Sequence, residues 1–155
     1  MKSIQSFLFA TVLLFGFLFS NHLSAQTTYK FKGGTDINWS NVANWENGKK
    51  PPAELAAGSN DIIIIDHGLV KLDEDFTMKG GTLKVEGYGA LRVTKKFVLD
   101  GGNLKLVGNG HLTEWFQGGE IHFIKGGLDV ENIQSQMMLD FQDIHFFGYK
   151  WHKTY

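Results

Sequence analysis

Glycine pairs at a near-constant interval limit this chain more than any other feature. FTMKGGTLKV begins at Phe76, FVLDGGNLKL begins 21 residues later at Phe97, FQGGEIHF begins 19 residues after that at Phe116, and a shorter copy, FQDIHFF, begins at Phe141. The first three carry Gly80-Gly81, Gly101-Gly102 and Gly118-Gly119, each followed by alternating apolar and polar residues. Leu83 and Val85 align with Leu104 and Leu106, then with Ile121 and Phe123, then with Ile144 and Phe146, and a second strand position repeats as Leu91 and Leu112. Alternation with a period of two marks a strand with one face buried. Glycine supplies the positive φ, or the close backbone approach, that a tight corner needs. A period of about 20 residues made of strands and turns fits a β-solenoid, whose coils stack at about 4.8 Å so that equivalent positions form ladders. Leucine-rich repeats share the period, but their leucine and asparagine pattern is absent. The expected fold is therefore all-β: a short single-domain parallel β-solenoid (β-helix) of about four coils with an N-terminal aromatic cap. An antiparallel meander or small jelly roll is the alternative.

The chain has 155 residues, enough for one domain. Residues 1–25 read as a secretory signal peptide: Lys2 is the positive start, Phe7 to Phe19 is an uncharged run that is apolar but for Thr11, and Ser20 to Ala25 is a short polar stretch with a small final residue. The apolar run is too short for a membrane span, which takes roughly 18 residues or more. Cleavage is expected after Ala25. The product would be secreted or at the cell surface, with the periplasm an option because YKWHKTY at the end is no sorting domain. Of 15 Lys and Arg, Lys2 lies in the leader, leaving 14 against 16 Asp and Glu. That balance excludes nucleic acid as a main partner, since phosphate binding needs a basic excess. Without cysteine there is no disulfide, no thiolate metal site and no lipid attachment of the lipoprotein type.

Along the mature chain, residues 26–60 read as a cap and loop segment, 61–148 as the coils, and 149–155 as an aromatic tail. Thr27 to Pro52 is polar and aromatic, with Trp39 and Trp45 six apart in NWSNVANW. That pair serves either as the cap of a core end or as a ligand platform. Ala53 to Asn60 reads as a short helix, and Ile62 to Ile65 as a buried strand. The stretch NWSNVANWENGKKPPAELAAGSNDIIIID, followed by GGTLKVEGYGALRV, resembles the N-terminal part of secreted and cell-surface β-helix proteins common in Bacteroidetes. The resemblance covers roughly residues 33–130 and implies a solenoid outside the cytoplasm. Proteins of that kind serve adhesion, surface layers and polysaccharide binding, and some are enzymes, so fold alone does not imply function.

Motifs for catalysis are missing: there is no G-x-S-x-G elbow and no phosphate loop. No catalytic residue and no cofactor is expected. Asp73-Glu74-Asp75 reads as a solvated turn, or else as a cation or sugar site. Lys84 and Lys105, with the single arginine Arg92 nearby, offer a basic column to acidic glycans, or simply a soluble sheet face. Trp115, Tyr88, Trp39 and Trp45 are the candidate ligand-binding aromatics. Aligning the copies places Lys84, Lys105, His122 and His145 in one outward column, and Thr82, Asn103, Glu120 and Asp143 in the column two residues earlier. His122, His145, Glu120 and Asp143 would then share a face and offer a borderline metal two imidazoles and two carboxylates; a solvated ladder is the simpler reading. The function expected is that of an exported non-enzymatic module for envelope structure, adhesion or interaction. Its partners would be a glycan or another envelope protein, with end-to-end self-association through the aromatic tail. The alternative is a carbohydrate-binding module or a fragment of a β-helix polysaccharide lyase.

Overall fold

The computed structural model describes residues 25–34, 36–114, 119–131 and 144–146. The strands are β1 (Thr28–Lys30), β2 (Glu54–Leu55), β3 (Ile62–Leu72), β4 (Phe76–Met78), β5 (Thr82–Val93), β6 (Lys96–Val107), β7 (His111–Glu114), β8 (Glu120–Glu131) and β9 (Ile144–Phe146). Two 3-10 turns, Val42–Asn44 and Glu46–Gly48, are the helical elements among the described residues. Every strand pair is parallel. Parallel pairing of chain-adjacent segments requires a crossover, and here the crossover is the rest of the coil rather than a helix. The chain is a β-solenoid.

The pairings resolve into three faces. Face A stacks β2, β4, the start of β6, the start of β8, and β9. Face B stacks β1 on the first halves of β3 and β5, then the second halves of β6 and β8. Face C stacks the ends of β3 and β5 on β7. The long strands β3, β5, β6 and β8 each turn a corner, which is why one of them serves two faces. Three coils contribute to all three faces among the described residues, one fewer than the repeat count implied, with partial coils before and after them. Nor is the 26–60 segment only a cap, because it supplies β1 and β2 to the ladders. The expected helix over Ala53–Asn60 is instead β2 and a turn: Leu55 is fully buried under Met78, and that burial prevails over weak local preference.

Inward side chains form the predicted columns in part. Ile63, Leu83 and Leu104 stack on face B, and Leu91 stacks on Leu112 on face C. The third repeat copy sits elsewhere than its glycine pair implies. Phe76 pairs with Phe97, Thr82 with Asn103 and Ala90 with His111, an offset of 21 on every face. The next coil is offset by 24: Lys96 pairs with Glu120, and Leu104 with Leu128. Val93 still pairs with Glu114 at the shorter offset, so three extra residues lie between Glu114 and Glu120. Ile121 and Phe123 therefore cover Phe97 and Leu99 on face A, not Leu104 and Leu106; Leu128 and Val130 do that. The relation between Ile121–Phe123 and Ile144–Phe146 holds as expected.

Close packing at the corners explains the glycines. Gly102 has φ +71°, and a Cβ there would lie 2.5 Å from the Gly80 carbonyl oxygen of the coil below. Gly119 marks a different corner, the turn from face C to face A, where a Cβ would lie 2.3 Å from the Val93 carbonyl oxygen. It is Gly126, not Gly119, that stacks on the Gly101-Gly102 corner.

The N-terminal end of the core is aromatic. Phe31, Trp45, Trp39, Phe76 and Phe97 run in file, with ring centroids 5.5, 4.9, 5.0 and 5.9 Å apart. The Trp45 Nε1–H donates to the Trp39 carbonyl oxygen at 2.8 Å. Edge-to-face and stacked rings at such separations add about 0.5–1.5 kcal/mol per pair beyond area burial.

Candidate functional site

The loop holding the two tryptophans is built by amide and carboxylate bonds. Asp36 accepts from the Asn38 backbone N–H at 2.9 Å, from Asn44 Nδ2 at 2.6 Å and from Asn41 Nδ2 at 3.0 Å. These bonds, led by the Asn38 N–H, hold the Asp36 carboxyl below the ordinary carboxylate range. Asn41 caps the first 3-10 turn by accepting from the Ala43 N–H. The asparagine-rich spacing of NWSNVANW thus has a structural reason: it closes a loop that drops both indoles into the core. Trp39 and Trp45 are 0% exposed, which corrects the ligand-platform reading, since a buried ring has no face to offer.

The acidic triplet is divided among three partners. Asp73 accepts from the Ser40 backbone N–H at 2.9 Å and from its hydroxyl at 2.7 Å. Glu74 pairs with Lys50. Asp75 accepts from the Lys96 N–H at 3.0 Å. The three acids tie the cap loop, its return segment and the next coil to one turn, so they do not converge on a common point.

Charge on the faces is likewise paired. On face B, Lys84 meets Glu86 at 2.6 Å, Lys105 meets Asp129 at 3.4 Å, and Lys30 meets Asp66 at 2.8 Å. On face A, Lys79 meets Glu54 at 2.8 Å and Lys125 meets Asp100 at 3.4 Å. Lys84 and Lys105 are neighbours in register as expected. Arg92 is not beside them: it pairs in register with Lys71 on face C, around a corner. The basic column therefore has two members, each with a carboxylate partner, and the acidic-glycan surface read from the sequence is not assembled.

The histidine column is rearranged by the three-residue insertion. His122 lies over Val98 on face A, whereas Lys84 and Lys105 lie on face B. His145 is opposite His122 in the β8–β9 register. Glu120 reaches His122, with Oε2 and Nε2 3.1 Å apart. Two of the four predicted ligands are thus in contact; only the backbone of His145 is described, and Asp143 lies outside the described residues. Among the described residues no group of three His, Asp or Glu converges on a metal position. Trp115 and the 149–155 tail also lie outside them.

Two corners remain open. At the turn from face B to face C, Tyr88 is 79% exposed and stacks in register over His67, whose Nδ1 is 2.5 Å from Asp66. At the turn from face A to face B there is a groove of about 650 Å³. Its floor is backbone at Gly80, Gly81 and Gly102, and its walls carry Gln26, Asn60, Thr82 and Asn103. In the sequence Thr82 and Asn103 align in one column, with no chemistry marked by their residue types alone. The usable signal was a hydroxyl and an amide, each directly after a glycine pair, which leaves them standing over a floor without side chains. No family model, curated protein or solved structure matches the chain.

Proposed function

We propose that the chain is an exported, non-enzymatic β-solenoid module acting in the cell envelope or outside the cell, in structure, adhesion or interaction. One observation carries the reading: the acidic triplet and several lysines tie coil to coil, and two open features are presented at the corners. The Asp73-Glu74-Asp75 triplet, Lys79, Lys105 and Lys125 tie successive coils together, while Lys84 is held by Glu86 of its own strand. The open features are the exposed Tyr88 ring and a polar groove, both set on the stacked coils. Rigid presentation of side chains at a regular rise suits recognition of repetitive partners. The Tyr88 ring, flanked by His67, favours carbohydrate binding as the second reading, because an exposed aromatic face next to polar groups suits a sugar ring.

The test is to produce the full chain in a bacterial host, recover the processed protein outside the cytoplasm, and sediment it with isolated cell envelopes. Saturable co-sedimentation is expected, with no reducing ends released from polysaccharides. Release of reducing ends or of unsaturated uronates would make the protein an enzyme and overturn the reading.

A further inference from the structure

We infer that the groove at the corner between faces A and B binds an extended, uncharged oligosaccharide. This rests on the interaction-module reading and names a ligand class for it. The groove crosses several coils. Gln26 precedes the first strand, Asn60 belongs to the coil of β3, Thr82 to the next, and Asn103 to the one after. Its length therefore runs along the stacking direction, with a polar group about every 4.8 Å. That spacing is comparable with one sugar ring.

The lining selects the chemistry. Amide and hydroxyl groups both donate and accept, as sugar hydroxyls do. No carboxylate lines the groove, and its one cation, Lys79, is held by Glu54 at 2.8 Å. An anionic chain would find no uncommitted charge there. Ile62 supplies an apolar patch on the same wall, suited to the C–H face of a pyranose.

The backbone argues against a peptide as occupant. The Gly81 N–H donates to the Ser59 carbonyl at 2.7 Å, and the Asn103 N–H donates to the Gly81 carbonyl at 2.9 Å. With these corner groups used between coils, the groove floor offers no strand edge for β-augmentation. Recognition falls to side chains, which face a ligand lying across the strands. Glycine makes the groove possible: a Cβ at Gly80 would lie 2.4 Å from the Ala56 carbonyl oxygen, so the floor cannot be raised by a side chain without moving the coil.

The experiment is calorimetric titration of the processed full chain with cellohexaose and chitohexaose, and with hexagalacturonate as the charged comparison. Saturable binding of a neutral hexasaccharide is expected. It should weaken about tenfold in Asn103→Ala and in Asn60→Ala, and be lost in Thr82→Arg, which fills the groove from an outward position. Val42→Ala, at an exposed side chain of the cap loop outside the groove, should bind as the parent does. Thermal melts of each variant identify any that fails to fold, and the two alanine variants remain decisive if Thr82→Arg does. Four results overturn the inference: no binding of either neutral sugar, preference for hexagalacturonate, full binding by the folded groove variants, or loss of binding in Val42→Ala. Binding of a Gly-Ser decapeptide where no sugar binds overturns it as well. Envelope co-sedimentation that persists without sugar binding rejects the groove alone; loss of both rejects the interaction reading too.

Discussion

Replacing Gly102 by alanine separates the two things a corner glycine does. Its φ of +71° strains any residue with a Cβ, by about 1–2 kcal/mol. The added Cβ would also lie 2.5 Å from the Gly80 oxygen and 2.8 Å from the Gly81 oxygen, both backbone atoms of the neighbouring coil. Relief of that overlap requires the coils to part, at a further cost of about 1–3 kcal/mol. Gly102→Ala should therefore lose about 2–5 kcal/mol. Two partner variants isolate the terms. Gly108 has φ +64° with nothing within 4 Å of its Cβ position, so Gly108→Ala should lose only the conformational part, about 1–2 kcal/mol. Gly110 lacks the positive φ, but its Cβ would lie 2.0 Å from the Val85 oxygen, so Gly110→Ala should report the close approach alone. Urea unfolding followed by circular dichroism gives the three values at constant m. At about 4 °C per kcal/mol for a chain of this size, the melts should separate as well. Equal losses at Gly102 and Gly108, with none at Gly110, would refute the claim that the coils stack at contact distance here.

Removing either buried indole should be severe: Trp39→Ala is expected to lose about 3–5 kcal/mol in urea unfolding, whereas Tyr88→Ala, at an exposed ring, should change stability by less than about 0.5 kcal/mol. Asp73→Ala should lose about 1–2 kcal/mol through the two Ser40 bonds, and Glu74→Ala less than about 1 kcal/mol, since it breaks one partly exposed ion pair. Asp66 is held below the ordinary carboxylate range mainly by the hydrogen bond from Lys30, and Asp36 by the Asn38 N–H and its neighbours. A depressed folded pKa gives stability that is present above the unfolded value, about 3.9, and is lost as pH falls through the folded value. The urea midpoint should therefore fall below about pH 4, and fall less steeply in Asp36→Asn and Asp66→Asn; parallel pH profiles in parent and variants would exclude these carboxylates.

The fold was legible wherever repetition was regular. Between the coils that begin at Phe76 and Phe97 the offset is the same on all three faces, so alignment by eye and strand register agree. The next coil misled because Gly118-Gly119 imitates the corner pair, while the residues that continue the face B column, Leu128 and Val130, follow a second pair, Gly126-Gly127. Two placements of a strand with the same alternation bury equally apolar side chains, and periodicity alone does not choose between them. β2 was hidden for a different reason. At two residues it is too short to show alternation, and its strand character comes from Met78 above it. Of the candidate site, the tryptophans and acids were conspicuous in sequence because they are unusual there, yet they hold the cap and the coils together. The groove residues are ordinary by type and acquire a common direction only when three coils are stacked.

Register is the claim on which the faces, the groove and the rearranged histidine column all depend, and the absence of native cysteine allows a direct measurement. Paired cysteines at Val98 and His122 should place their Cα atoms about 4.8 Å apart on adjacent strands of face A, within disulfide reach. Mild oxidation followed by peptide mass mapping should give that intramolecular crosslink in high yield. Cysteines at Lys105 and His122, neighbours under the alternative alignment of the glycine pairs, sit on different faces and should remain reduced. Crosslinking of the Lys105 and His122 pair, with none for Val98 and His122, would contradict the account.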